Sequence, residues 1–363
     1  MTARQVVGED AKTHQHDESE PMRTKLRQTG VSGRRHRLQL KLVSCARERS
    51  SYTLPFSEVF ERRVPHPIPY QGSKRLLAKH ILAFFPNDLG LLIEPFAGSS
   101  AVSIAAASQG RCSRFHLNDI NKPLMALWHD IVHRPAELAD AYDILWRAQE
   151  GDESRYYTHV RGQFNRTGRT DYFLYLLARC VKASVRYNSN GEFNQSPDNR
   201  RRGRNPREMR DDIFAVSHLF SSRVRLTSLD YKRALAVAGK ADLVYMDPPY
   251  QGTCGKRDPR YCSGVEFSEF TQELARLTER GVSFILSYDG RTGDKTYGKP
   301  LPESLDLHRI ELDAGRSSQS TLLGRADVTY ESLYLSEPLV LRLARQEDKP
   351  RGSTRRQLSL AGI

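Results

Sequence analysis

The sequence predicts an α/β protein, a Rossmann-like mixed sheet interrupted by a mainly helical insertion. Three observations carry that expectation. Short apolar runs alternate with helical stretches in residues 63–130 and again in 231–344. Polar turns follow two of those runs, at Glu94-Pro95-Phe96-Ala97-Gly98 and at Asp247-Pro248-Pro249-Tyr250. Residues 131–230 break the alternation with helical segments and a polar, Arg- and Asn-rich stretch too long for a simple connection.

Taken in order, residues 1–62 mix His14, His16, Asp17, Glu18 and Glu20 with the basic run Arg34-Arg35-His36-Arg37. They show little apolar periodicity, so a disordered basic extension is expected. Tyr70-Gln71-Gly72-Ser73-Lys74 is a glycine turn opening an amphipathic helix through Leu76, Leu77, Ile81 and Leu82. Leu91 to Ile93 reads as a buried strand and Ala101 to Ala107 as a helix. Arg114 to Leu117 reads as the next strand, ending at Asn118-Asp119. Within the insertion a helix is expected over Phe173 to Ala183. Strand signals return at Leu243 to Met246, Ser283 to Ser287, His308 to Leu312 and Tyr330 to Leu335, and residues 345–363 form a disordered tail.

The chain has 363 residues, 56 Lys and Arg against 43 Asp and Glu, and a net charge of +13. That excess favours a polyanionic partner. No apolar run approaches the ~20 residues of a membrane span and no leader pattern is visible, so a cytoplasmic address is expected. Cys45, Cys112, Cys180, Cys254 and Cys262 are scattered without metal-ligand spacing and read as reduced thiols, with no metal site.

The chemistry concentrates in three turns. In Asp247-Pro248-Pro249-Tyr250, prolines fix the backbone and remove N–H donors, leaving a carboxylate and the Pro248 carbonyl as acceptors. Two acceptors suit the two hydrogens of an exocyclic amine, and Tyr250 offers a ring on which a base can stack. At the second turn, Gly98 permits close backbone approach to a ligand, and Asp119 follows at the ~20-residue spacing that puts an acid on ribose hydroxyls. Tyr70, Gly72 and Lys74 make a third wall, with Tyr70 placed to stack and Lys74 to meet a carboxylate.

The ordered set Tyr70-x-Gly72-x-Lys74, Glu94-Pro95-Phe96-x-Gly98, Asn118-Asp119, Arg186-Tyr187-Asn188-x-x-Gly191-x-Phe193-Asn194 and Asp247-Pro248-Pro249-Tyr250 resembles the Dam-type, D12 class, adenine-specific DNA methyltransferases. The resemblance spans about residues 65 to 337. It departs from the family at Ser73, where a second glycine is usual, and in the length of the N-terminal extension. It implies the S-adenosylmethionine-dependent methyltransferase type of sheet, with residues 63–130 and 231–344 as the two halves of a catalytic domain and 131–230 as the target-recognition insertion. Cofactor contacts are then expected from Tyr70, Gly72, Lys74, Glu94, Phe96, Gly98, Asp119 and Asp247. Asp247, Pro248 and Tyr250 would hold a flipped adenine for direct attack of N6 on the cofactor methyl.

For double-stranded DNA the expected contacts are Arg186, Tyr187, Asn188 and Asn194, whose side chains suit base edges and gaps, and Arg200, Arg201 and Arg202, with Gly203 as a flexible hinge. Arg316, in a polar loop between two late strands, is a further phosphate contact. A monomer when free is expected, with a separate restriction endonuclease as a candidate counterpart. The competing expectation is an RNA base amino-group methyltransferase, since Asp-Pro-Pro-Tyr serves such amines in RNA as well.

Overall fold

The structure is a computed structural model, and it describes residues 63–249, 265–292, 295–297, 299–316 and 328–347. Its sheet is built from β1 (Leu92–Glu94), β2 (Phe115–Asn118), β3 (Val224–Thr227), β4 (Leu243–Met246), β5 (Ser283–Thr292), β6 (Lys295–Tyr297), β7 (His308–Arg316) and β8 (Val328–Leu335). The order across the sheet is β3-β2-β1-β4-β5-β8-β7, with β6 paired to β5. The first five strands are parallel, and β8 runs antiparallel between β5 and β7. This is the mixed sheet expected of a methyltransferase-type Rossmann fold.

Strands β1, β2 and β4 are buried at every residue, as strands covered on both faces must be. Ile93, Val244, Met246, Phe284 and Leu286 share a core with Phe270, Leu274 and Leu277 of the helix Phe267–Glu279. The helix Ala101–Ser108 is buried over all but its last residue, and its run of alanines keeps it thin enough to be covered on all sides. Strand order reverses between β1 and β4, so the turns leaving both strands face one crevice at their carboxyl ends.

The helical block lies between β2 and β3. It comprises Lys122–His133, Pro135–Ala148, Glu153–Thr167, Thr170–Arg179 and Pro206–Phe220. Stacked Phe164 and Phe173, with ring centroids 5.0 Å apart, receive Phe193 edge-on. The irregular segment after Arg179 is pinned by side chains to its carbonyls: Tyr157 Oη donates to Gln195 O at 2.9 Å, Tyr142 Oη to Arg204 O at 2.7 Å and Gln149 Nε2 to Arg202 O at 2.9 Å.

Several local expectations change. The sheet reaches further along the chain than its pattern suggested, because Val224–Thr227, inside 131–230, pairs with β2 as the edge strand. Its half-exposed residues give no buried run to read. Leu76 ends a 3₁₀ turn with 74% of its surface exposed, and the following helix is only Ala78–Leu82. The helix from Thr170 stops at Arg179, since Cys180 is extended, and Lys182 and Ala183 then take positive φ. Gly203 is packed rather than hinge-like: at φ +88° it lies where a Cβ would come 3.2 Å from Cδ of Arg179. The last helix, Glu337–Glu347, passes the expected limit at 344, and its Arg342 donates to the carbonyls of Asp88, Ala241 and Asp242 at 2.8 to 3.1 Å.

Gly290 sets the approach of β8. The β5–β8 register shifts between Ser287 and Gly290, and Gly290 then pairs with Glu331. A Cβ there would meet Tyr330 O at 2.6 Å, against backbone that cannot swing aside. Gly290→Ala is expected to lower stability by ~1–3 kcal/mol, measured by urea unfolding, as overpacking against a ladder does. Wild-type stability in that variant would show that β8 has room to retreat.

Candidate active site

The crevice at the carboxyl ends of β1 and β4 opens into a cavity of about 780 Å³. Among the segments that line it are Tyr70 to Lys74, Glu94 to Val102, Asp119 with Ile120, and Asp247 to Pro249. Every residue expected to touch the cofactor is among them, as is Pro248. Tyr250 lies outside the described residues.

Each wall is held by a specific contact. Pro95 ends β1, and Gly98 follows at φ +48°, a conformation that favours glycine. A Cβ at Gly98 would lie 3.2 Å from Cε1 of Tyr70, so the tyrosine ring rests on the bare backbone of the second turn. Asp119 Oδ2 accepts from Gly98 N at 3.1 Å and its Oδ1 from Asn121 N at 2.9 Å, clasping the turns after β1 and β2 together. Trp128, fully buried, donates its Nε1–H to Gly98 O at 2.9 Å and fixes the same peptide from the helical block. Ser99 Oγ donates to Ser73 Oγ at 2.8 Å. Ser73, the departure from the family's second glycine, is thus used as a clasp between the first and second walls.

The charges are buried. Desolvation pushes Asp119 up to about 6, outweighing its two backbone N–H bonds. Desolvation also pushes Glu94 up to about 8, although Ser103 N donates to its Oε1 at 2.8 Å. The Lys74 ammonium, 6% exposed, lies 3.0 Å from Asp247 Oδ2, 3.4 Å from Glu331 Oε2 and 3.3 Å from Gly72 O. On the opposite side Phe96 stacks on Tyr231, centroids 5.3 Å apart.

The residues expected to read DNA fall into three groups, none among the residues that line this cavity. Arg186 to Asn194 forms a tight hairpin closed by a Tyr187–Phe193 bridge and by Asn194 N donating to Arg186 O at 3.0 Å. Asn188 Oδ1 accepts from Asn190 N and Glu192 N, both at 2.9 Å, so this amide builds the hairpin tip. Tyr187 Oη donates to Asn121 Oδ1 at 3.2 Å, joining the hairpin to the turn after β2. Asn194 is exposed. Arg200 and Arg201 are exposed but paired with buried Asp198 at 2.9 and 3.0 Å, and the Arg200 hydrogen bonds foremost hold that carboxyl well below the usual range. Arg202 lies over the Trp146 ring, 5.2 Å from its centroid. Arg316 ends β7 opposite Val328.

Sequence reasoning missed Trp128, the Ser73–Ser99 clasp, Tyr231 and Glu331. Only Glu331 left a signal, a carboxylate in a strand run between Tyr330 and the apolar Leu333-Tyr334-Leu335.

The burial of Glu94 generates a prediction. Its folded pKa stands above that of the unfolded chain, so its favourable contribution is full below about 4.5 and is lost as pH rises through about 8. Glu94→Gln keeps an acceptor for Ser103 N and removes the titration. The melting temperature of the variant relative to the native chain is expected to rise by ~2 °C or more between pH 5 and pH 9. A pH-independent difference would show that Glu94 ionises without cost.

Residues 70–316 match the family model of the D12 class N6 adenine-specific DNA methyltransferases. The chain is 27% identical over 272 residues to the type II methyltransferase M1.LlaDCHI of Lactococcus lactis subsp. cremoris, covering 70% of this chain and 90% of that protein. It is 29% identical over 230 residues to the DNA adenine methylase of Haemophilus influenzae, covering 61% and 78%. It is 30% identical over 288 residues to the DNA adenine methylase of Salmonella typhimurium, covering 77% and 98%. The cavity that gathers its four motif segments at the switch point of a methyltransferase-type sheet therefore belongs to a member of the D12 class N6 adenine-specific DNA methyltransferase family.

Proposed function

We propose that this chain is a site-specific DNA methyltransferase that moves a methyl group from S-adenosylmethionine to N6 of an adenine turned out of duplex DNA. The observation that carries the reading is the cavity in which the Asp247-Pro248 turn faces the Glu94 to Gly98 turn. A volume of about 780 Å³ gives room for a nucleoside-sized cofactor and a base. RNA is the less favoured acceptor, since the family and the relatives named above are DNA methyltransferases.

The residues fit the cofactor. The bare backbone at Gly98 lets the Tyr70 ring close directly on the second turn, where it can present a face to the cofactor, and Asp119 keeps acceptor lone pairs beyond the two it gives to backbone N–H groups. Glu94, Phe96, Gly72 and Lys74 complete the surround. When bound, S-adenosylmethionine supplies an electrophilic methyl group. Asp247 and the Pro248 carbonyl accept the two hydrogens of the adenine N6 amine, which keeps its lone pair directed at the incoming carbon, and Asp247 is the nearest base for the proton that leaves.

DNA contacts are assigned to the hairpin Arg186 to Asn194, with Tyr187, Asn188 and Asn194, to Arg200, Arg201 and Arg202, and to Arg316. The site of action is the cytoplasmic DNA, with the free protein a monomer. Among the described residues no helix is long and apolar enough to cross a membrane. A separate restriction endonuclease is proposed as counterpart by analogy with the type II relative.

Two predictions test this. Asp247→Ala is expected to lower methyl transfer by ~10² or more while duplex affinity stays within a few fold, read by incorporation of labelled methyl groups into DNA and by binding titration. Full activity would remove Asp247 from the chemistry. Neutralising Arg200, Arg201 and Arg202 together is expected to flatten the salt dependence of binding by up to ~0.9 for each phosphate no longer neutralised, whereas Arg186→Ala alters which sites are methylated, with ~1–3 kcal/mol of discrimination removed at the base it reads. Unchanged salt slope and unchanged methylation maps would move recognition away from both segments.

A further inference from the structure

We propose that Glu331 is a positioning residue for the methyl transfer, acting through Lys74 to draw its charge off Asp247 when the adenine amine arrives. The inference rests on Asp247 as the acceptor of that amine. Glu331 lies beyond residues 70–316, the span matched by the family, and outside all five motifs read in the sequence.

The geometry around the ammonium sets the argument. Lys74 Nζ has three N–H donors and no acceptor, and its near-complete burial leaves those donors little water. It meets an acceptor from each of three places in the fold: Gly72 O in its own turn, Asp247 Oδ2 after β4 and Glu331 Oε2 on β8. One cation thus stands between two carboxylates. The nearer of them, at 3.0 Å, is the one that must accept hydrogens from a neutral amine.

Those two tasks draw on one carboxylate. Asp247 keeps an oxygen for the amine, but an ammonium bonded at Oδ2 draws charge from the whole carboxylate and weakens its other oxygen as an acceptor. Moving the ammonium away with nothing to receive it would leave a buried charge uncompensated, the most costly outcome for an ion pair. A second carboxylate at 3.4 Å removes that obstacle, because a small swing of the Lys74 tip shifts its weight to Glu331 without exposing either charge.

The placement of Glu331 is built into the backbone. The register shift in β5 and the missing Cβ of Gly290 bring the Tyr330–Glu331 backbone close enough for a carboxylate on β8 to reach Lys74. Glu331 is 22% exposed, but its Oε2, the atom paired with the ammonium, is buried and makes no hydrogen bond among the described residues.

The test is single-turnover methyl transfer to duplex DNA at saturating cofactor, with Glu331→Gln, Glu331→Asp, Lys74→Gln and the Glu331→Gln/Lys74→Gln double variant, and Asp247→Ala alongside. Glu331→Gln is expected to lower the rate about tenfold, on the order of one charge-assisted hydrogen bond, with the KM for DNA and the melting temperature unchanged. Glu331→Asp is expected to recover most of the rate. In the Lys74→Gln background the Glu331→Gln change is expected to cost nothing more, since there is no ammonium left to share. A native rate in Glu331→Gln, equal impairment in Glu331→Asp, or the same tenfold loss with Lys74 already removed would each overturn the proposal. Native activity in Asp247→Ala would instead overturn the reading of the site on which it rests.

Discussion

Burial of the central strands on both faces is the constraint on which the rest depends. β1, β2 and β4 have no exposed residue, so their polar chemistry can emerge only where each strand ends. The reversal of strand order between β1 and β4 collects those ends in one crevice. Glu94 closes β1, Asn118 closes β2, and Asp247 follows Met246 of β4. These polar groups are there because the strands stop there, and burial then raises the Glu94 carboxyl and that of Asp119 after β2.

Charge balance in the crevice is the second organising element. Glu94 and Asp119 are held up by desolvation, while Asp247 and Glu331 share the Lys74 ammonium. Two of these four carboxyls are thus held toward their neutral forms by burial, and the other two are balanced by one cation. The two backbone N–H groups on Asp119 show the same economy, since they stabilise an acid and fix two turns at once.

Most of the central sheet was legible because its signals are local. Runs such as Leu243 to Met246 and turns such as Glu94 to Gly98 carry periodicity and backbone chemistry within a few residues. The edge strand Val224–Thr227 was not legible, since half-exposed residues carry no apolar run. The site was legible where motifs lie at strand ends, and illegible where one side chain crosses from another element. Trp128 reaches Gly98 from a helix, and Glu331 reaches Lys74 from an antiparallel strand. Gly203 misled for a related reason. Beside four arginines a glycine suggests freedom, but this one sits at positive φ against Arg179 and Tyr142.

Trp128 has a consequence for the order of events. Its indole belongs to the first helix of the block between β2 and β3, yet its N–H holds the carbonyl of Gly98. Tyr187 makes a second strut, from the hairpin to Asn121. A displacement of the block therefore loads the cofactor turn directly, without passing through the sheet. Thermodynamic reciprocity then requires that whatever advantage bound cofactor gives to DNA is returned in equal measure by DNA to the cofactor.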